Sequence, residues 1–218
     1  ILIGRWNYLL DLEAACESSI ENAKEYLVST PIPQIQFLSI GADEAREMFE
    51  DILGFASKKG IVDGQAIEMF IQWFLHGVMH TGFEDISSIP DDINDYWYRN
   101  FRPQLLLYKP YDYLGDIIAA SGMGKKIGFF PTPMPVVTLM TEMVFKKDKP
   151  YDSFNDPCIG TGRMAMVASN HCLDLHGMEI SDIIHKACLV NMYLYVPYAL
   201  GLSDVAKSAM NELRIANS

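Results

Sequence analysis

The sequence has few cysteines, no long apolar run and little positive charge in its first half. Its four cysteines, Cys16, Cys158, Cys172 and Cys188, stand singly with no Cys-x-x-Cys pair, so neither a zinc site nor a disulfide framework is indicated. No apolar run reaches the ~20 residues that a membrane span needs, and the first residues lack a signal-peptide pattern. We therefore expect a cytoplasmic protein with no membrane partner.

Positive charge is scarce in the first part of the chain. Residues 1–118 carry 8 Lys and Arg against 19 Asp and Glu, a net charge of −11, whereas residues 119–218 carry 9 of each. A surface that binds DNA on its own carries clustered positive charge. If the protein acts on nucleic acid, we expect the contacts to come from a missing segment or a partner subunit.

Helical periodicity dominates residues 1–118. His76 and His80 lie at i and i+4 on one predicted helix, but a metal site needs a third ligand and the pattern suggests none. We predict no metal and an acidic, all-helical N-terminal domain over residues 1–118, followed by a second domain over residues 119–218. The N-terminal helices are predicted over residues 5–30, about 43–60, about 64–81 and about 111–121.

Strands and helices alternate in residues 119–218, which predicts an α/β domain with a parallel, doubly wound sheet. Thr132 is a suitable N-cap and Pro133 a suitable first residue for the helix that follows them. The last residues, 213–218, are interpreted as a third strand. Strands are predicted over residues 153–155 and 175–179, with helices over about 162–172 and 182–194.

A glycine turn from Asp156 to Gly162 is the most informative stretch. Gly160 and Gly162 permit positive φ and close backbone approach, and the helix that follows attracts an anionic group to its N-terminus. Asp156, at the strand end, would repel a phosphate and attract an ammonium group. The turn therefore favours a ligand with an amine and a carboxylate, such as S-adenosylmethionine, over a dinucleotide. Taken alone, an ordinary Asp-Pro turn before a helix fits the residues as well.

Two further groups of residues are candidates for the same pocket. Glu179 ends the second predicted strand, where an acid can accept hydrogen bonds from both ribose hydroxyls; a glutamate favoured by a helix dipole is the alternative. Ile180 could lie against an adenine ring. Phe129 and Phe130 could form one wall of the pocket or serve as ordinary core residues.

These stretches together resemble a known family. Gly-Phe-Phe-x-Thr-Pro, Asp-Pro-Cys-x-Gly-Thr-Gly and Gly-x-Glu-Ile, in this order and spacing, resemble the N6-adenine DNA methyltransferases. The closest likeness is to the methylation subunit of type I restriction–modification systems and its phage-borne relatives, over about residues 113–195. Tyr113-Leu114-Gly115-Asp116-Ile117 also resembles the helix that leads into the first motif.

The resemblance implies a fold, a cofactor and partners. The fold would be a partial Rossmann-like class I S-adenosylmethionine-dependent methyltransferase core after an all-helical N-terminal domain. The cofactor would be S-adenosylmethionine, the substrate DNA adenine, and the partners a specificity subunit or further copies of the chain in a bacterial or phage-encoded system. Pro131 is inserted before Thr132, which leaves the placing of Phe129 and Phe130 open. The family motifs place cofactor contacts at Phe130, Thr132, Pro133, Asp156, Pro157, Cys158, Gly160, Gly162 and Glu179.

The family's catalytic Asn/Asp-Pro-Pro-Tyr/Phe motif does not occur in the 218 residues. That motif holds the adenine amino group and stacks on the flipped base, so we predict no catalytic residue here and expect a piece that stops before the motif and is inactive alone. Cys158 lies in the cofactor turn and is not interpreted as a nucleophile.

Three alternatives to this function remain. The first is a degenerate, non-catalytic methyltransferase-like domain used for protein–protein interaction. The second is a methyltransferase for RNA or protein. The third, a nicotinamide-dependent dehydrogenase, is disfavoured because Asp156 is badly placed for a pyrophosphate and no Gly-x-Gly-x-x-Gly is present.

Overall fold

The computed structural model describes residues 3–145 and 152–216, which are mostly helical with one small parallel sheet. All the described elements that precede the sheet are helices. None of the described helices is long and apolar enough to cross a membrane. The elements are α1 (Ile3–Ser18), α2 (Ile20–Ser29), α3 (Asp43–Lys58), α4 (Asp63–Gly77), α5 (Asp91–Asn100), α6 (Pro103–Tyr108), α7 (Tyr113–Ala120), α8 (Gly122–Ile127), α9 (Met134–Val144), β1 (Ser153–Asp156), α10 (Arg163–Ala168), β2 (Asp174–Gly177), α11 (Asp182–Tyr195), a 3₁₀ turn (Pro197–Ala199) and α12 (Asp204–Ala216).

The single helix predicted over residues 5–30 is wrong, because the chain breaks at Ser19. Ser19 has an extended backbone, with φ −172°, and its hydroxyl accepts a hydrogen bond from the N–H of Asn22 at 3.1 Å. A serine in this position is a strong N-cap, so it starts a new helix. The break lets α2 fold back on α1, where the rings of Tyr8 and Tyr26 pack 5.2 Å apart.

The helix α11 lies at the centre of the fold. Its side chains are buried on nearly every face, as expected of a helix surrounded by other elements. It packs against α4, α6, α7 and α10. Near its C-terminal end the carbonyl of Tyr193 accepts a hydrogen bond from the Trp6 indole of α1, at 3.3 Å. Helices from both predicted domains therefore share this central helix, and the division at residue 118 stays a prediction.

The two strands pair in parallel, as predicted. Ser153 faces Asp174, and the register runs to Asp156 opposite Gly177. The second strand is shorter than predicted and ends two residues before Glu179. The backbones stay together beyond the sheet, because the N–H of Met178 donates to the carbonyl of Asp156 at 3.0 Å. Both strands thus end at the same edge, where parallel sheets bind ligands.

The third strand predicted over residues 213–218 is wrong where the structure describes it, since residues 213–216 belong to α12. The Ser203 hydroxyl accepts a hydrogen bond from the N–H of Ala206 at 3.1 Å, which favours a helix start. Ala206, Ala209 and Met210 are buried at helical spacing. This amphipathic pattern outweighs the short apolar run at the end. Residues 217 and 218 lie outside the described residues.

The start of α9 also differs from the prediction. Pro133, rather than Thr132, occupies the N-cap position, and no side chain caps the helix. Thr132 instead lies one residue earlier, and its carbonyl accepts a hydrogen bond from Arg163 at 2.9 Å. Thr132 thus contributes its backbone, not its hydroxyl, to the local structure.

Candidate functional site

A cavity of about 650 Å³ lies at the edge where β1 and β2 end. Its size is typical of a small-molecule pocket. It is lined by residues from three stretches: residues 127–132, residues 156–161 with 163 and 164, and residues 178–181 with 184. Of the residues predicted for the site, it is lined by Phe129, Phe130, Thr132, Asp156, Pro157, Cys158, Gly160, Glu179 and Ile180.

The two glycines of the turn have different surroundings. Gly160 has φ +57° and lines the cavity, and a Cβ added to it would lie 3.6 Å from the Phe129 ring. Gly162 has φ +89° and is buried behind the lining; an added Cβ would lie 2.7 Å from Met192 Cε and 2.9 Å from Cys188 Sγ. Gly160 therefore leaves backbone open to a ligand, whereas Gly162 seats the turn on α11. Pro133, like Gly162, lies outside the lining.

The carboxylate of Asp156 shapes the turn at the end of β1. Its Oδ1 accepts a hydrogen bond from the N–H of Cys158 at 2.9 Å. Asp156 is only partly exposed, while Pro157 and Cys158 are exposed. The turn thus presents a negative charge to the cavity beside open backbone.

Glu179 and its neighbour form the opposite part of the lining. Glu179 Oε1 accepts a hydrogen bond from the N–H of Ser181 at 2.8 Å, which fixes the half-buried carboxylate against the cavity. Ile180 is fully exposed and Phe130 is 84% exposed, whereas Phe129 is half-buried. The cavity therefore offers two carboxylates together with apolar surfaces from both sides.

A buried network centred on Asp112 lies beside the cavity, and the sequence interpretation missed it. Asp112 is completely buried. Its Oδ2 accepts hydrogen bonds from Arg163 Nε at 2.7 Å and Thr161 Oγ1 at 2.5 Å. Its Oδ1 accepts from Asn191 Nδ2 at 2.8 Å and from the N–H of Gly115 at 2.9 Å. One carboxylate thus joins α7, the glycine turn and α11.

Arg163 extends the network to the wall of the cavity. Beyond Asp112, it donates to Asp116 Oδ1 at 2.6 Å and to the Thr132 carbonyl at 2.9 Å, and it lies 5.6 Å from the centre of the Tyr111 ring. Burial lowers the pKa of Arg163, but attraction to Asp112 and the hydrogen bonds to both carboxylates outweigh burial, so the pKa lies above its ordinary value. The guanidinium stays charged, and each of its three nitrogens donates one hydrogen bond.

The sequence contains local signals for the individual residues of this network, but it does not indicate which of these residues pair. Asp112 precedes a helical pattern and is a preferred N-cap residue; it caps α7 by accepting from Gly115. Arg163 directly follows the glycine turn. Nothing in either position indicates that two side chains 51 residues apart meet in the interior.

The two candidate histidines, one in α4 and one just after its C-terminal end, each have a protein partner. His76 Nδ1 lies 2.9 Å from the carbonyl of Phe83, and His80 Nδ1 lies 2.9 Å from the hydroxyl of Tyr193. Within residues 3–145 and 152–216, no group of three or more His, Cys, Asp or Glu side chains is placed to hold a metal ion.

One of three comparisons with known proteins returned a match. Comparison with curated proteins and with solved structures returned no match. Residues 107–197 match the family described as N-6 DNA Methylase. The matched stretch runs from the end of α6 through α11 and contains the Asp112 network, the glycine turn and Glu179. This match confirms the resemblance to the N6-adenine DNA methyltransferases over residues 107–197.

Proposed function

We propose that the cavity binds S-adenosylmethionine and that this chain is the cofactor-binding part of a DNA adenine-N6 methyltransferase with a Rossmann-like core. The observation that carries the proposal is the convergence of three motifs. Residues 129–132 of the first motif, residues 156–161 of the glycine turn, and Glu179 come from separate stretches of the sequence, yet they line one cavity at the strand ends.

The groups around the cavity fit the chemistry of this cofactor. Asp156 suits the ammonium group of its methionine part, and the Glu179 carboxylate suits the ribose hydroxyls. Phe129 and Ile180 offer apolar surface to the adenine. Arg163, the one cation among the described lining residues, is already held by two carboxylates, so a pyrophosphate would meet two acids and no available positive charge.

The cofactor would supply an activated methyl group, and the residues of this chain would bind and orient it. The choice of DNA adenine as substrate rests on the family. No Asn/Asp-Pro-Pro-aromatic motif occurs in the 218 residues, so we propose that this chain alone binds the cofactor without transferring the methyl. DNA contacts would come from a partner or another segment, since the chain carries a net charge of −11.

Calorimetry with S-adenosylmethionine and with its demethylated product tests the proposal. Glu179→Gln should weaken binding by about 1–3 kcal/mol, because ribose hydroxyls would lose a charged acceptor. Asp85→Asn is a matched control, since Asp85 Oδ1 also accepts the N–H two residues on, from Ser87 at 2.7 Å, but lies outside the cavity lining.

Two results would count against the proposal. If neither S-adenosylmethionine nor its demethylated product binds, the cofactor site as a whole is refuted. Equal affinity for Glu179→Gln and the parent chain would refute the ribose role of Glu179 alone.

A partner-binding domain without catalysis is the second candidate, and one observation favours it. The helix α9 carries several exposed apolar side chains, and contiguous exposed apolar surface marks interaction sites. This candidate is favoured over the first if calorimetry detects no binding of S-adenosylmethionine. The exposed side chains are Val136, Leu139, Met140, Met143 and Val144.

A further inference from the structure

Arg163 connects the two sides of the cavity through a single side chain. Its Nε and one terminal nitrogen bind the carboxylates of Asp112 and Asp116, at 2.7 and 2.6 Å. The other terminal nitrogen donates to the carbonyl of Thr132 in the cavity wall, at 2.9 Å. Because Arg163 directly follows the glycine turn, the spacing between turn and wall depends on this guanidinium.

Asp112 holds the same turn from behind. Thr161, within the turn, donates its hydroxyl to Asp112, and its carbonyl accepts from Asn191 Nδ2 at 2.8 Å. Asn191 also donates to Asp112. The backbone of the turn is therefore fixed at residue 161 by α7 and α11 together.

The turn is seated directly on a buried thiol. Gly162 approaches α11 so closely that an added Cβ would lie 2.9 Å from Cys188 Sγ. Cys188 is only 4% exposed. Any loosening of the turn would therefore uncover Cys188 before it uncovered the other buried thiols, Cys16 and Cys172.

We propose that Arg163 and Asp112 are positioning residues that hold the glycine turn and the Thr132 wall at the spacing the cofactor requires. The proposal rests on the proposed function and goes beyond it, because neither residue need touch the ligand through its charge. A buried ion pair contributes little net stability compared with apolar residues. A lysine cannot replace the arginine, because the compact ammonium group cannot reach the three separated acceptors that the planar guanidinium binds at once.

Native-state labelling of thiols tests the positioning role without any cofactor. In Arg163→Lys, Cys188 should be alkylated at least ~10-fold faster than in the parent chain, as loss of one charge-assisted hydrogen bond implies. Cys16 and Cys172 should keep their rates. Mass spectrometry of the labelled peptides resolves the three sites, and Asp112→Asn should give the same pattern if Arg163→Lys folds poorly.

Arg5→Lys is the matched control. Arg5 is another buried arginine, 4% exposed, and it donates to the Ser169 hydroxyl at 2.5 Å and the Tyr195 carbonyl at 2.8 Å. It therefore anchors the far end of α10 and lies outside the cavity lining. Loss of its hydrogen bonds should leave the labelling rate of Cys188 unchanged.

Calorimetry then separates this inference from the proposed function. Arg163→Lys should bind S-adenosylmethionine at least ~10-fold more weakly, whereas Arg5→Lys should bind it normally. An unchanged Cys188 rate in Arg163→Lys, or equal acceleration of all three buried thiols, would overturn the positioning role. If the parent chain binds no cofactor while Cys188 alone is accelerated, the proposed function fails and the positioning of the turn stands.

Discussion

Gly115→Ala should destabilise the protein, although alanine normally stabilises a helix. Gly115 lies in the first turn of α7, and alanine is ordinarily favoured over glycine in a helix by about 1 kcal/mol. Here an added Cβ would lie 1.9 Å from Asp112 Oδ2 and 2.6 Å from Asp112 Cγ. No backbone strain is involved, so the effect comes from the carboxylate alone.

The size of the effect follows from what holds that carboxylate. Asp112 cannot retreat without lengthening its bonds to Arg163, Thr161 and Asn191. Breaking a buried charge pair costs about 3–5 kcal/mol. After subtraction of the helix preference, the free energy of unfolding should fall by about 2–4 kcal/mol.

Urea unfolding followed by tryptophan fluorescence measures this change. Gly54→Ala serves as the control, because Gly54 lies inside α3 and an added Cβ would meet nothing within 4 Å. It should raise the free energy of unfolding by up to ~1 kcal/mol. If Gly115→Ala is as stable as Gly54→Ala, the close approach of Asp112 and the reasoning built on it are wrong.

Two further predictions concern titratable groups. Under native conditions a thiol reagent should modify Cys158 rapidly and the buried Cys16, Cys172 and Cys188 slowly; two fast thiols per chain would contradict this burial. Burial raises the pKa of Cys172 and of Cys188 from 9.0 to about 12, and burial with the Asp116 hydrogen bond raises that of Tyr111 from 10.0 to about 12. The folded state thus retains protons that the unfolded chain releases. The contribution of these groups to the free energy of unfolding should therefore be fully present below pH 9 and should be lost as the pH rises towards 12. Urea titrations at pH 8 and pH 11 check this, and equal stabilities would contradict it.

Features encoded by short local patterns were predictable from the sequence. The glycine turn depends on a strand end, two glycines and a helix start within a dozen residues, and the structure has positive φ at both Gly160 and Gly162. The parallel pairing of β1 and β2 follows from the alternation of strands and helices. Because each strand end was located nearly correctly, Asp156 and Glu179 were expected on one edge, and both line the cavity there.

Features that depend on tertiary contact or on a few competing residues were not predictable in this way. The break at Ser19 depends on one side-chain hydrogen bond within an otherwise helical pattern. The apolar residues near 213 suit either a strand or a helix, and the burial of α12 against α2 and α1 decides between them. The pairing of Asp112 with Arg163 requires the N-terminal ends of α7 and α10 to meet, which no local pattern specifies.

The network that supports the cavity draws on both sides of the predicted boundary at residue 118. Asp112 and Asp116 precede it, whereas Arg163 follows it and is only 6% exposed. If residues 119–218 stood alone, this guanidinium would lose both carboxylates that hold it beside the glycine turn. The family match begins at residue 107, before Asp112, and so includes both members of the pair. The smallest unit that can hold the glycine turn in this geometry must therefore include α7 of the helical part.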